Sequence, residues 1–173
     1  DGRLSFIHGD VRDAAAVDAA VMGMDAVLHL AAQVSVPLSV ADPVASSTHN
    51  IAGFLNVLDA VRRLKIPRLV YASSAAVYGV PEALPLTEAN TAKPLSPYGL
   101  EKLINDQYAA LYRELYGLSS VGMRYFNVYG PRQDPKSPYA GVISKFANGL
   151  EGAKPLRVFG DGLQTRDFIY VGD

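Results

Sequence analysis

Ser96-Pro97-Tyr98-Gly99-Leu100-Glu101-Lys102 opens the segment whose reading decides the fold. Behind it, Leu103, Ile104, Tyr108, Leu111, Tyr112 and Leu115 recur at helical spacing. Ser96 suits an N-cap, Pro97 the first helical position and Gly117 the stop, so the spacing predicts a helix over 97–116. On that helix Tyr98 and Lys102 stand four residues apart and share one face of the first turn. A free tyrosine has a pKa of about 10. A helix N-terminus and a lysine ammonium both favour phenolate, so the pair has the makings of a base near neutral pH. On these two residues alone, an ordinary amphipathic helix with a surface Tyr and Lys is the competing reading.

Upstream, Leu69-Val70-Tyr71-Ala72-Ser73-Ser74 is a short apolar run that ends in two serines and passes into Ala75-Ala76-Val77-Tyr78-Gly79. Ligands in open α/β sheets sit beyond the carboxyl ends of the strands. A serine there, with Tyr and Lys at a helix start, makes a constellation of hydroxyl, phenol and ammonium. In these residues the sequence resembles the short-chain dehydrogenase/reductase superfamily, in its extended branch of NAD-dependent nucleotide-sugar epimerases and dehydratases. The similarity is greatest to the UDP-glucose or UDP-N-acetylglucosamine 4-epimerase group. It covers nearly all of the 173 residues.

Composition narrows the classes independently. A 49% hydrophobic content supports a core. With 16 basic and 17 acidic residues, the net charge is −1, and no basic run argues for nucleic acid. No apolar run reaches the length of about 18 residues that a membrane span needs, and the start has no signal-peptide pattern. Cysteine is absent, which excludes disulfides and thiolate metal sites and fits the cytoplasm. His8, His29 and His49 show no metal-ligand spacing and read as structural; no metal is expected.

Along the chain, strand-like and helix-like segments alternate. Leu4–Ile7 reads as a strand, and Asp13 can cap a helix running to about Met22. Residues 26–31 read as a buried strand, 44–64 as a long helix stopped by Ile66-Pro67, and 68–73 as the next strand. After the 97–116 helix come a strand at 120–126, a proline-rich loop at 127–139 and a helix at 140–150. Short strands at 156–159 and 168–171 flank Gly160-Asp161-Gly162. Strands alternating with helices indicate a parallel sheet.

The fold expected is therefore α/β, a Rossmann-like doubly wound parallel sheet. The resemblance implies a partial NAD-binding domain over 1–126 and the start of a substrate-binding region over 127–173. It also implies a strand, a glycine-rich turn and a helix, then a second strand, ahead of Asp1. The chain is thus expected to be an internal piece of a longer enzyme, incomplete by its first two strands. Leu4–Ile7 and 26–31 would then be strands 3 and 4 of the order 3-2-1-4-5-6, and should not ladder directly.

The resemblance assigns roles residue by residue. Tyr98 matches the base that exchanges a proton with the sugar 4-hydroxyl, and Lys102 the lysine that binds the nicotinamide ribose and lowers the tyrosine pKa. Ser74 matches the serine that orients the 4-oxygen, with Ser73 the alternative in register. Asp10 and Val11 match a pair facing adenine, though Asp10 also reads as an ordinary loop residue. Leu30, Ala31, Ala32 and Gln33 match a segment that lets a dinucleotide approach the backbone. Asn50, Ala72, Tyr125 and Val128 complete the implied NAD contacts. Implied substrate contacts are Ser35, Ser74, Asn127, Val142, Phe146, Phe159 and Arg166. Of these, Ser35 also reads as a helix cap, Phe146 and Phe159 as core, and Arg166 as one half of an ion pair.

Ala75 and Ala76 stand where 4,6-dehydratase relatives carry one acid or two after the catalytic hydroxyl. Neither can move a proton, which points to epimerisation at C4 of a UDP-hexose rather than elimination. A dehydratase, decarboxylase or reductase of the same branch is the alternative, and a non-catalytic dinucleotide-binding protein the alternative outside enzymes. The resemblance also implies a homodimer built through helices 44–64 and 97–116.

Overall fold

A computed structural model describes residues 4–137, 139–152, 155–158 and 160–173. The chain divides into two compact units, Asp1–Arg124 and Tyr125–Asp173.

The first unit is built on a three-stranded sheet of β1 (Val27–His29), β2 (Leu69–Ser74) and β3 (Ser120–Tyr125), in the order β1-β2-β3. β1 and β2 are parallel, with Val27 opposite Leu69 and His29 opposite Tyr71. A parallel pair needs a long crossover. It is made here by α2 (Val36–Ala41), α3 (Pro43–Ser47), a π-helical segment (Thr48–Ala52) and α4 (Gly53–Arg63). Helix α1 (Ala14–Val21) precedes β1, and α5 (Pro97–Tyr116) lies between β2 and β3.

Local chemistry explains most boundaries. Asp13 caps α1, its Oδ1 accepting from the backbone N–H groups of Ala15 at 2.9 Å and Ala16 at 3.2 Å. Ser96 caps α5 through the Gly99 N–H at 3.1 Å, Pro97 takes the first turn, and Gly117 ends the helix in the left-handed region at φ 67°. The residues of α4 at positions i, i+3, i+4 and i+7, namely Phe54, Val57, Leu58 and Val61, are all buried and form the centre of the core. Val17 and Val21 of α1, Leu69 and Tyr71 of β2, Ala109 of α5, and Leu118 pack around them. The Phe54 ring lies 4.9 Å from that of Tyr71 and 5.6 Å from that of His29.

Helices cover this face of the sheet. On the other face Leu28, Val121 and Met123 stand exposed. Among the described residues no helix is long and apolar enough to cross a membrane.

Three sequence expectations are corrected. Leu4–Ile7 forms no strand; Leu4 and Phe6 are exposed, and among the described residues β1 pairs with β2 and no strand pairs with 4–7. Residues 127–139 are not all loop: β4 (Asn127–Tyr129) pairs in parallel with β5 (Phe168–Tyr170) in the second unit, Asn127 opposite Phe168. The strand expected over 156–159 is absent over 156–158, and Phe159 lies outside the described residues. The second unit also holds α6 (Val142–Glu151), close to the expected 140–150.

His29 gives the first unit a pH dependence. Burial first, and the nearby Lys102 charge second, push its pKa from 6.5 down to about 4. The unfolded chain therefore takes up this proton before the folded one does. The stability this histidine contributes is whole above pH 6.5 and is lost as the pH falls toward 4. His29→Phe should flatten that part of the curve. Urea midpoints at pH 7 and pH 5 check it, and an equal loss in both proteins would count against it.

Candidate active site

The alternation of β2 separates its two terminal serines. Leu69, Tyr71 and Ser73 face the helix-covered core, so Ser74 turns the other way. Ser73 Oγ is buried without a hydrogen-bond partner. Ser74 is only half-buried, and its Oγ accepts from the Ala76 N–H at 3.2 Å, capping the 3-10 turn Ala75–Val77.

The start of α5 is pressed onto that turn. A Cβ on Gly99 would stand 2.7 Å from the Ala76 carbonyl oxygen, so only glycine permits the approach. The Tyr98 N–H, one of the first-turn donors that a helix leaves unpaired, donates to Ser39 Oγ of α2 at 3.1 Å. Tyr98 is thereby fixed at its backbone, and its phenol lies near enough to the Ser74 side chain for that hydroxyl to pull its pKa down. One turn on, the buried Lys102 donates from Nζ to the Ala72 carbonyl at 2.9 Å, and that Nζ lies 5.8 Å from the centre of the Tyr98 ring. Ser74, Tyr98 and Lys102 therefore meet at the carboxyl end of β2.

The electrostatics correct one expectation. The Tyr98 pKa is raised, not lowered: burial pushes it up most, the nearby Ser74 side chain pulls it back in part, and the Glu101 charge adds to the rise. Lys102 is itself pushed down to about 8 by burial, against the raising charges of Asp106 and Glu101. Its ammonium remains the major form at pH 7.

At the carboxyl end of β1, Leu30 and Ala31 are exposed and Ala32 half-buried. The backbone here is clamped by Asn50, a buried residue of the π segment. Asn50 Oδ1 accepts from the Gln33 N–H at 2.8 Å, and its Nδ2 donates to the Gln33 carbonyl at 2.9 Å and to Glu101 Oε2 at 2.6 Å. Every polar atom of that side chain is engaged, so Asn50 supports the segment rather than offering itself to a ligand. Gln33 is similarly occupied, donating to the Ser35 carbonyl and Ser46 Oγ, both at 3.1 Å, and accepting from the Ser35 N–H. Ser35 is the N-cap of α2, accepting from the Leu38 N–H at 3.2 Å, as its cap reading expects.

Asp10 is exposed and paired with Arg12, which holds its carboxyl well below the usual range. Val11 packs where a Cβ on Gly53 would be, at 2.7 Å, and its carbonyl accepts from Asn56 Nδ2 at 2.9 Å. The strap at 10–11 is thus pinned to α4.

In the second unit, Asn127 Nδ2 donates to the Asp167 carbonyl at 2.9 Å and Arg166 Nη1 to the Thr165 carbonyl at 2.7 Å. Val128, Gln133, Val142 and Phe168 line one pocket of that unit. Tyr125 and Arg166 are exposed and Phe146 is half-buried. Sequence reading missed Ser39, Ser46, Ser47 and Glu101; each acts through a partner on another element, which no local spacing signals.

The model of the NAD dependent epimerase/dehydratase family matches residues 1–173. The chain belongs to this family. Among its epimerase/dehydratase relatives, the UDP-glucose 4-epimerase of Mycolicibacterium smegmatis is 38% identical over 99% of this chain and 55% of its own length. The solved UDP-N-acetylglucosamine 4-epimerase of Methanobrevibacter ruminantium, in complex with UDP-N-acetylmuramic acid, is 42% identical. It covers 95% of this chain and 53% of its own, with a TM-score of 0.91. The Thermus thermophilus UDP-glucose 4-epimerase, in complex with NAD, is 40% identical over 95% of this chain and 55% of its own, with a TM-score of 0.86. The chain spans about half the length of the curated relatives it matches.

Proposed function

We propose that the full-length protein is an NAD-dependent epimerase acting at C4 of a UDP-hexose through a 4-keto intermediate. The observation that carries the reading is the meeting of Ser74, Tyr98 and Lys102 at the end of β2, with Ala75 and Ala76 in the adjoining turn. NAD suits the residues present: the small Ala31 and Ala32 follow β1, in a segment that Asn50 fixes, and Lys102 is held on Ala72 of the neighbouring β2. When bound, NAD supplies the hydride acceptor and donor.

Tyr98 takes the proton of the sugar 4-hydroxyl on oxidation and returns it on reduction. Ser74 orients the 4-oxygen, since its hydroxyl can donate to a ketone and accept from an alcohol. Lys102, cationic below about pH 8, favours phenolate at Tyr98 and holds the ribose side of the cofactor. Asp10, Val11, Leu30, Tyr125 and Val128 are assigned to NAD, with Gln33 and Asn50 positioning the segment between them. Asn127, Val142, Phe146 and Arg166 are assigned to the nucleotide sugar; arginine suits a diphosphate through its planar paired donors. Interconversion of UDP-glucose and UDP-galactose by the full-length protein tests the reading. Elimination to a 4-keto-6-deoxy product would replace it with the dehydratase reading, and NAD binding without turnover of either sugar with a non-catalytic one.

Ser74→Ala should lower turnover, whereas Ser73→Ala should leave it nearly intact. Ser73 has no polar partner to lose, and removing an unpaired buried hydroxyl is neutral or stabilising. A more damaged Ser73 variant would shift the register by one.

The same reading includes a cytoplasmic homodimer through helices 44–64 and 97–116. Leu100, Leu111, Leu115 and Tyr116 of α5 are exposed and give such an interface its apolar surface. Light scattering at micromolar concentration should report a dimer, and a monomer there would remove this part.

A further inference from the structure

Glu101 lies between Tyr98 and Lys102 in sequence and is 2% exposed. Both its oxygens accept hydrogen bonds. Ser46 Oγ donates to Oε2 at 2.9 Å, Asn50 Nδ2 to Oε2 at 2.6 Å, and Ser47 Oγ to Oε1 at 3.2 Å. The three donors are neutral, and a carboxylate taken out of water is costly to keep on neutral donors alone. The same Asn50 amide holds the Gln33 backbone, and the Asn50 carbonyl accepts from Asn105 Nδ2 of α5 at 3.0 Å. A continuous set of bonds thus runs from the helix bearing the catalytic pair, through the π segment, to the loop after β1.

We infer that Glu101 is a positioning residue. It locks α5 in register with the loop that receives the dinucleotide, and supplies the fixed negative charge beside Tyr98 and Lys102. The inference deepens the proposed function and rests on it. The charge acts in one sense on both groups, raising Tyr98 and supporting the protonated Lys102. The other titratable groups around the pair are Asp106 on α5 and His29 on β1. His49 on the π segment bonds back to the Ala45 carbonyl.

The test is Glu101→Gln in the full-length protein. Glutamine keeps the shape, removes the charge, and puts an N–H where donors already point. NAD affinity, read by direct titration, should fall roughly tenfold, the scale of a lost bond to a charged group. Both limbs of the kcat/KM pH profile should move to lower pH by about one unit, because phenolate forms more readily and Lys102 loses its proton earlier. An unmoved profile with unchanged NAD affinity would overturn the inference, even if thermal stability fell. Should the wild-type protein turn over neither UDP-sugar, the proposed function fails, and the NAD titration alone decides the role of Glu101. If the Gln variant does not fold, Glu101→Asp decides instead. That variant keeps the charge and shortens the reach, so NAD affinity should fall while the pH profile stays in place; unchanged affinity would overturn the inference.

Discussion

Tyr98→Phe in the full-length enzyme loses turnover by about 10²–10⁴-fold, the usual worth of a general acid–base group, while NAD still binds. The substitution deletes one oxygen and leaves the α5 cap, the Ser39 bond to the residue 98 N–H and the Gly99 contact in place. Binding of the cofactor should therefore survive, because the loop after β1 and Lys102 are untouched. The raised phenol pKa sharpens the expectation. A buried tyrosine that holds its proton is a good donor to the returning 4-oxygen, and needs Ser74 and the Lys102 cation to act as the base. Single-turnover reduction of the bound cofactor by substrate is the measurement. A variant that turned over at the wild-type rate would remove Tyr98 from the chemistry.

Phe54→Ala should destabilise the protein by about 3–5 kcal/mol, the range for a buried aromatic truncated to alanine. Phe54 is fully buried on α4, wedged against Tyr71 and His29. The ring is held from two strands and one helix, so the cavity left by its loss has little freedom to collapse. Urea denaturation of the full-length variant should show a lower midpoint with a similar slope. A loss under about 1 kcal/mol would mean that the site closes over the gap.

Helix α5 was legible to the residue because three independent signals, Ser96, Pro97 and Gly117, mark its ends. The proximity of Ser74, Tyr98 and Lys102 was legible for the related reason that spacing on a helix and position at a strand end are local facts. Helix α2 was not read as a helix: it is six residues long, and its sole strong mark, Ser35, was open to a ligand reading as well. β4 escaped because a three-residue strand exists only through its partner, and that partner starts at Phe168. Leu4–Ile7 shows the converse, apolar enough for a strand but with no strand paired to it among the described residues. The Glu101 network was invisible because its donors lie 51–55 residues away in the chain. The sign of the Tyr98 shift depended on how deeply the phenol is buried, which no sequence spacing reports.

The π segment at Thr48–Ala52 has a consequence for protein engineering. Such a bulge accommodates one extra residue in an otherwise α-helical run. Deleting a single residue there would let α3 and α4 heal into one regular helix, an outcome that favours the helix locally. It would leave α3 and α4 in phase with each other, because the bulge is what absorbs the extra residue. Inside the segment the direction does change, by about 100° per residue, so Asn50 would turn away from the Gln33 backbone and the Glu101 carboxylate. The shortened protein would gain a better helix and lose the clamp between α5 and the loop after β1. The irregularity is therefore a frame marker: it presents Asn50 in a direction that a regular helix would not, and grafts or deletions across it must preserve residue count as well as composition.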